Sequence, residues 1–232
     1  QLFSKEGMPM KFRHEFKHIL TYAEYIDLRN RLKVICNKDP HAGENSEYIV
    51  RSLYFDNYNN KALLEKIDGV NRREKFRIRY YNSDTNFIRL EKKSKINGLC
   101  NKQSAPITAA EVQNLIDGQH EFLAHSTADL FVELYYKMVT QRLKPIVIVN
   151  YHREVFIYPA GNVRITLDTD IRTGLSSLDF LNSAHPTIKT GNNIVLEVKY
   201  DEFLPEFIRQ AIQAGTRSHS AFSKYAASRS FY

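Results

Sequence analysis

Charged and apolar residues alternate along several segments of this chain. In the stretch REKFRIRYY, residues 73–81, a Lys or Arg occupies every second position up to residue 79. Successive side chains of a β-strand point to opposite faces, so a strand here would carry all its cations on one face and apolar residues on the other. These cations are Arg73, Lys75, Arg77 and Arg79.

The same period of two predicts further strands, and their charged faces mix cations with a few acids. The predicted strands are 11–20, 48–56, 73–81, 87–95, 146–157, 163–171 and 194–200. The charged faces outside 73–81 are Arg13, Glu15 and Lys17; Arg89, Glu91, Lys93 and Lys95; Arg164, Thr166, Asp168 and Asp170; and Glu197 and Lys199.

Helices are fewer but have clear start signals. Thr21 with Glu24, and Thr108 with Glu111, form capping boxes in front of apolar residues at helical spacing. The predicted helices begin at Thr21 and at Thr108, span 129–140, run from Pro205 to Gly215, and span 218–229. Antiparallel strands with a few packed helices indicate the α+β class.

Composition narrows the class of protein. The 232 residues are 43% hydrophobic and 25% charged, which predicts one globular domain over 1–232, with 1–11 as a disordered or extraneous lead. The net charge of +7 favours an anionic partner. Cys36 and Cys100 lie far apart, without metal-ligand spacing, which is typical of a reducing compartment. We expect a cytoplasmic protein, or one on the cytoplasmic face of a membrane if another segment anchors it, because no apolar run here is long enough to cross.

The repeated charged faces have two readings: each meets water, or together they line an enclosed space. For a single strand, exposure to water is the ordinary case. Five such strands with amphipathic helices to cover their apolar faces favour a barrel of about eight strands with a polar, basic lumen. Such a lumen repels itself unless an anion fills it. Its acids would either pair with the cations or hold a divalent metal ion.

Seven motifs together carry a family resemblance. RHEFK, RSLYFD, KFRIRYY, LEKKSKING, VRITLDTDIR, LEVKY and FSKY, spread from about Phe12 to Tyr225, resemble the VTC-type polyphosphate polymerase domain, a branch of the triphosphate tunnel metalloenzymes. The resemblance implies an antiparallel β-barrel tunnel that binds ATP and inorganic polyphosphate with Mn²⁺ or Mg²⁺. It also implies transfer of the γ-phosphoryl group of ATP to a growing polyphosphate chain.

The resemblance implies roles for individual residues as well. Glu197 would be the metal carboxylate, and Lys224 would reach the tunnel from the last helix. Glu15, Glu91 and Asp168 are further candidate metal ligands, with salt bridges to neighbouring cations as the alternative. We expect catalytic roles for Arg77, Arg79, Lys93 and Arg164. The full set of expected phosphate-binding residues is Arg13, Lys17, Lys75, Arg77, Arg79, Lys93, Lys95, Arg153, Arg164, Lys199 and Lys224.

Two positions leave alternatives open. Arg153 could instead pair with Glu154 on an exposed strand. Polymerases of this family often carry a second lysine three residues before that of FSK, where this chain has Ala221, so phosphate handling is expected to be weaker there unless Arg217 or His219 substitutes.

Three other functions compete with the polymerase. A related tunnel enzyme would hydrolyse triphosphate or thiamine triphosphate, although a richer acidic set would be expected around its metal. A non-catalytic polyphosphate sensor fits the Ala221 departure. Binding to nucleic acid is not expected, because aromatic side chains for base stacking would lie on the face opposite the cations.

Overall fold

The chain folds into one large antiparallel sheet covered by helices. A computed structural model describes residues 13–40, 47–212 and 222–230. The strands of this part are β1 His14–Leu20, β2 Asn37–Lys38, β3 Glu47–Asp56, β4 Arg72–Tyr81, β5 Arg89–Ile96, β6 Leu99–Pro106, β7 Lys144–Tyr158, β8 Val163–Thr173, β9 Ile188–Lys189 and β10 Ile194–Tyr200. The helices are α1 Tyr22–Ile35, α2 Lys61–Ile67, α3 Ala109–Ile116, α4 Asp129–Gln141, α5 Glu206–Ile212 and α6 Lys224–Arg229, with short 3₁₀ turns at Glu121–His125 and Ala160–Asn162.

Eight strands form the path of the sheet, in the order β1-β10-β8-β7-β3-β4-β5-β6. The two short strands are additions, β2 on β7 and β9 on β8. The path curls so that its edge strands meet at a single bridge, where Arg13 and Cys100 exchange backbone hydrogen bonds of 3.2 and 3.4 Å. The expected α+β fold with an eight-stranded tunnel is confirmed, but a continuous ladder does not close the sheet.

Two apolar clusters lie on the outside of this curled sheet. One packs Leu53 and Ile78 beneath α3 and α4, which contribute Val112, Leu134 and neighbouring residues. The other packs β8 and β10 beneath α1 and α5. Burial of this apolar surface, at roughly 25 cal/mol per Å², is the main force that fixes the helices to the sheet. The helices therefore leave the opposite face of the strands to the interior.

The interior face lines a space that we call the lumen. Strand register places Tyr54 beside Arg77 and places Lys17 beside Glu197, so these residues point inward together. A third apolar cluster, which includes Val149, Tyr151 and Tyr225 of α6, fills part of the interior. The lumen is thus polar and charged along β1, β4, β5 and β10, and partly apolar where α6 enters.

The predicted strands and helices are present in the described residues, with shifts of a few residues at their ends. The sequence did not predict α2, β6 or the two short strands β2 and β9. Of the predicted helix over 218–229, the structure shows Lys224–Arg229 as α6, whereas residues 218–221 lie outside the described residues, as does Gly215. Among the helices described, none has the length and apolar character needed to cross a membrane.

Candidate active site

Two carboxylates and three lysines form a checkerboard across β1, β10 and β5. Glu15 lies opposite Lys199, and Lys17 lies opposite Glu197, in the antiparallel register. Lys17 Nζ is 3.0 Å from Glu197 and 3.4 Å from Glu15, and Lys199 Nζ is 2.6 Å from Glu197. Lys93 crosses from β5 to approach Glu15 at 2.6 Å. The structure thereby brings together five of the residues expected in the site.

The two carboxylates of this cluster are ionised at neutral pH. Burial raises the pKa of Glu15, as does Glu197, but Lys17, Lys93 and Lys199 outweigh both and lower it to about 2. The pKa of Glu197 is held well below its usual value because the same lysines outweigh its burial. The pKa of Lys93 is lowered, first by burial and then by Lys17. Both carboxylates therefore carry full negative charge for a cation or metal ion.

Arg77 lies in the middle of the basic row on β4. Its guanidinium donates to Glu91 at 2.7 Å and to the hydroxyl of Tyr54 at 3.2 Å. Lys102 of β6 approaches the other oxygen of Glu91 at 3.0 Å. Despite its burial, Glu91 is held ionised, with a lowered pKa, by Arg77, Arg79 and Lys102.

Arg79 is held without a carboxylate contact among the described residues. It donates to Ser52 Oγ at 3.0 Å and to the hydroxyl of Tyr151 at 2.8 Å. The rings of Tyr81 and Tyr151 lie within 6 Å of its guanidinium carbon, at 5.8 and 5.9 Å. Aromatic faces and hydroxyls orient an arginine while leaving much of its charge uncompensated.

A third group joins β7, β8 and α6. Arg153 makes two hydrogen bonds to Asp168, at 2.6 and 2.7 Å, and Lys224 Nζ lies 2.5 Å from the same carboxylate. Glu154 instead pairs with Arg29 of α1 at 2.6 Å, so the alternative pairing of Arg153 with Glu154 is wrong. Both Arg153 and Lys224 also approach the ring of Tyr151, at 5.2 and 4.8 Å.

Lys75 is the least compensated cation of the lumen. Among the described residues it has no carboxylate partner, and its ammonium lies 5.9 Å from the ring centre of Tyr225. Burial lowers its pKa to about 7, with Lys17, Lys93 and Arg77 acting in the same direction and Tyr54 in the opposite one. Burial opposes ionisation of Tyr54, but Arg77, Arg79 and Lys75 prevail and lower its pKa to about 7. An uncompensated positive potential therefore surrounds this position.

The remaining expected residues lie towards the edges of the lumen. Arg164 pairs with Asp39 at 2.9 Å, and Arg13 pairs with Asp201 at 2.7 Å. Lys95 lies opposite Arg73 in the ladder between β4 and β5. The expected departure from the family depends on Ala221, Arg217 and His219. All three lie outside the described residues.

The donor set of the checkerboard suits a hard divalent metal ion. Glu15 and Glu197 share Lys17 and Lys199 as neighbours, and oxygen donors of this kind are those that Mg²⁺ and Mn²⁺ prefer. Glu91 and Asp168 are each engaged by their own pair of cations instead. Across the described ranges, no three His, Cys, Asp or Glu side chains cluster as a ready-made metal site. Two carboxylates completed by phosphate oxygens would fit the usual mode of Mg²⁺ binding.

Some residues of the lumen were missed or misplaced from the sequence. Lys102 was missed because β6, LCNKQSAP, lacks regular alternation of apolar residues. The aromatics were expected to face away from the cations, but Tyr54, Tyr81 and Tyr151 lie on the cationic face. Register explains this correction, since Tyr54 pairs with Arg77 and Tyr81 continues the parity of Arg79. Because Tyr54 and Tyr151 are buried, they offer no open surface for base stacking.

Comparison with known proteins supports this description of the fold. A family model described as the VTC domain matches residues 12–232. HpAC1 from Hippeastrum, a candidate adenylyl cyclase with a dominant triphosphatase activity, aligns with 94% of this chain and 96% of its own, at 16% identity and a TM-score of 0.58. A candidate adenylate cyclase, bh2851 from Bacillus halodurans, aligns over 89% and 88% at 16% identity and a TM-score of 0.51. No curated protein matches the chain.

Proposed function

Because the chain belongs to the VTC domain family, we propose that it is a metal-dependent phosphotransferase that moves the γ-phosphoryl group of ATP onto inorganic polyphosphate. The family and the tunnel fold support a triphosphate or polyphosphate ligand in the lumen. The polymerase reaction is the finer part of the proposal. The free thiols Cys36 and Cys100 are compatible with a reducing, ATP-containing compartment such as the cytoplasm.

The observation that carries the proposal is that two lumen cations next to Arg77, namely Lys75 and Arg79, have no carboxylate partner among the described residues. Both lie on β4 on either side of Arg77, and both point into the lumen. Positive charge held away from water and without a counterion destabilises the protein. A phosphate chain along β4 would supply the missing negative charge, with forked contacts from arginine and point contacts from lysine.

The lumen residues suit the demands of phosphoryl transfer. A terminal oxygen of the acceptor chain attacks the γ-phosphorus of ATP, the bond to the β,γ-bridging oxygen breaks, and ADP leaves with that electron pair. This reaction needs alignment of the reacting groups and neutralisation of charge rather than a protein nucleophile. In our proposal Arg77, Arg79 and Lys93 hold the equatorial phosphate oxygens, while Arg153 and Lys224 hold the neighbouring phosphate. Arg164 acts from the edge of the lumen.

Glu197 and Glu15 would hold the metal ion. When bound, Mg²⁺ or Mn²⁺ supplies charge neutralisation and orientation of phosphate oxygens. The contacts of Lys17 and Lys199 keep both carboxylates ionised until the metal ion binds. Release of these lysines from the carboxylates would then make them available to phosphate.

Hydrolysis of a triphosphate is the second candidate function. The adjacent ionised carboxylates Glu15 and Glu197 favour it, because a metal ion held there could serve an attacking water as well as an acceptor phosphate. The structural relative HpAC1, with its dominant triphosphatase activity, supports the same candidate. Both functions use the same cations. They differ in the acceptor, which is a phosphate chain or water, and in the product.

One assay separates the candidates. Purified protein is incubated with ATP and Mn²⁺, and ADP, free phosphate and polyphosphate are measured, beside Arg79→Ala, Glu197→Gln and the control Arg209→Ala. Arg209 lies on the outer helix α5, 3.4 Å from Glu206. The Arg209→Ala substitution therefore removes one positive charge outside the lumen, as Arg79→Ala does inside it. We expect polyphosphate with equimolar ADP, a loss of about 10- to 100-fold for the two lumen variants, and unchanged activity in the control.

The other outcomes change the assignment. Free phosphate without polymer would identify a triphosphatase. Binding of polyphosphate without either product would identify a sensor domain. Equal losses of activity in Arg79→Ala and Arg209→Ala would show that the active site does not lie in the lumen.

A further inference from the structure

Three cations lie together at the end of the lumen where β4 begins, and no step of the proposed reaction uses them. They are Lys66 of α2, Arg73 of β4 and Lys95 of β5, which we call the rim triad. Arg73 and Lys95 lie directly opposite each other in the antiparallel ladder. Lys66 lies on α2, which packs against β4, and it interacts electrostatically with both of them.

The rim triad is unusual in having no acidic partner among the described residues. Arg73 donates to the carbonyl oxygen of Val70, and the nearby Arg13 takes Asp201 as its own partner. Like charges directly opposite on adjacent strands destabilise a sheet. All three side chains are only half-exposed, so water screens their repulsion incompletely.

The positive potential of the rim triad is continuous with that of the inner lumen. The pKa of Lys66 is lowered first by burial, then by Arg73, Lys17 and Lys95. Lys17 belongs to the checkerboard with Glu15 and Glu197, so cations of both the rim triad and the checkerboard lower the pKa of Lys66. Positively charged side chains therefore continue from the rim triad along β4 to the proposed site of phosphoryl transfer.

The length of the row exceeds what a triphosphate needs. Arg73 and Arg79 are six residues apart on one strand, and a strand rises about 3.3 Å per residue, so the row spans about 20 Å. Three phosphorus atoms in a triphosphate would occupy only part of this distance. The cations left over at the rim can then contact only phosphates further along a longer chain.

We propose that Lys66 and Arg73 join Lys95, which was already expected to bind phosphate, in a second anion subsite that binds the distal phosphates of linear polyphosphates longer than a triphosphate. This inference rests on the proposed function, because it requires the inner lumen to hold the first phosphates of the same chain. The subsite makes affinity depend on chain length and keeps a long product bound between transfers.

The test compares two ligands and three proteins. Affinities for inorganic tripolyphosphate and for a polyphosphate of about 20 phosphates are measured by calorimetry on the wild type and on K66A/R73A/K95A. The third protein is the control K33A/R31A/R209A, which removes three positive charges from α1 and α5 outside the lumen. We expect the rim variant to lose about 30-fold in affinity for the long chain and less than about twofold for tripolyphosphate. Its affinity for the long chain should also fall less steeply with salt, because fewer counterions are released.

The possible outcomes separate this inference from the proposed function. Equal losses for both ligands, or losses no larger than those of the control, would refute the rim subsite while leaving phosphate binding in the lumen intact. If the wild type binds neither ligand, the proposed function fails and the rim subsite fails with it. An unfolding midpoint in the rim variant at or above that of the wild type establishes that any lost affinity comes from the missing side chains, since removal of like charges should not destabilise the sheet.

Discussion

Individual lumen cations differ in how far their charge is compensated. Arg153 shares the fully buried Asp168 with Lys224, so each positive charge has a short ionic contact. Lys75, in contrast, has no carboxylate contact among the described residues, and its ammonium lies 5.9 Å from the ring centre of Tyr225. In the absence of ligand, the first arrangement stabilises the fold whereas the second opposes it. Lys75 is therefore the residue at which stability and ligand binding should conflict most clearly.

We expect Lys75→Met to raise the free energy of unfolding by about 1 kcal/mol or more at pH 7, because it removes a buried charge without a partner. The folded pKa of about 7 lies below the unfolded value near 10.5, so the unfolded state binds more protons between these values. The wild type should accordingly gain stability as pH rises from about 7 to 10.5. Urea unfolding across this range would measure the difference.

The gap between Lys75→Met and the wild type should be largest at or below pH 7 and should close near pH 10.5. The variant should also bind tripolyphosphate more weakly. A variant that is less stable than the wild type at pH 7 would contradict the view that this charge is uncompensated. The exposed Lys33 provides the matched control, since the difference in stability between Lys33→Met and the wild type should not widen and close in this way with pH.

Elements differ in how far the sequence predicts them. The strands around Arg77 and Glu197 follow a strict period of two, and α1 and α3 have local capping boxes, so all are predictable. Helix α2 is different, because Asn60 before it has a positive φ of 53° and makes no capping hydrogen bond with its side chain. The N–H groups of Ala62 and Leu63 instead donate to Asp56 at the end of β3, and that of Lys61 donates to Asn57. Sequence rules based on the residue next to a helix could not identify this start.

Asp56 also joins α2 to α6, which gives an element-scale prediction. Its carboxylate accepts a hydrogen bond of 2.5 Å from Tyr225, the residue after Lys224. We expect Asp56→Ala to cost about 3 kcal/mol, because it removes the cap of α2 and leaves the Tyr225 hydroxyl without this partner. Affinity for tripolyphosphate should fall as well, because α6 would hold Lys224 less firmly. Urea unfolding and calorimetry would measure the two effects.

Two further variants separate capping from placement of Lys224. Tyr225→Phe keeps the cap of α2 and should cost about 1 kcal/mol while still weakening tripolyphosphate binding. Thr108→Ala removes the cap of the outer helix α3 and should cost a similar amount with no change in affinity. If all three variants lowered affinity in proportion to stability, the link from Asp56 to Lys224 would have no specific role.

For the whole molecule, the partner of each lumen side chain was harder to predict than the side chain's direction. Alternation placed Lys17, Arg77 and Glu197 on the inner face, because a strand side chain has only two directions. Which cation meets which acid depends on the strand order and on side chains that cross the lumen, as with Lys93 and Glu15. The period of a single strand contains no such information. Tyr54 and Tyr151 were missed because they belong to strands with irregular alternation, whereas Tyr81 ends the regular strand β4 on the parity of Arg79.

The excess of positive charge in the lumen predicts strong stabilisation by a polyanion. At a free concentration of 100 times Kd, a ligand that binds only the folded state adds about 2.7 kcal/mol. For a chain of this length that corresponds to a rise in Tm of roughly 5–10 °C. We expect tripolyphosphate to produce this rise in a thermal scan. Sodium chloride of equal ionic strength should produce little of it, and a rise of the same size would attribute the effect to general screening.

The placement of the helices outside the sheet has a consequence for divergence. Alternate residues of each strand have different functions. Ile78 and its outward neighbours pack against the helices, whereas Arg77 and Arg79 point into the lumen. Mutations on the inner parity can change what the lumen accepts without disturbing the outer packing. Homologous tunnels that adapt to new anions should therefore accumulate differences with a period of two along their strands, with inner positions tracking the ligand and outer positions tracking the helices.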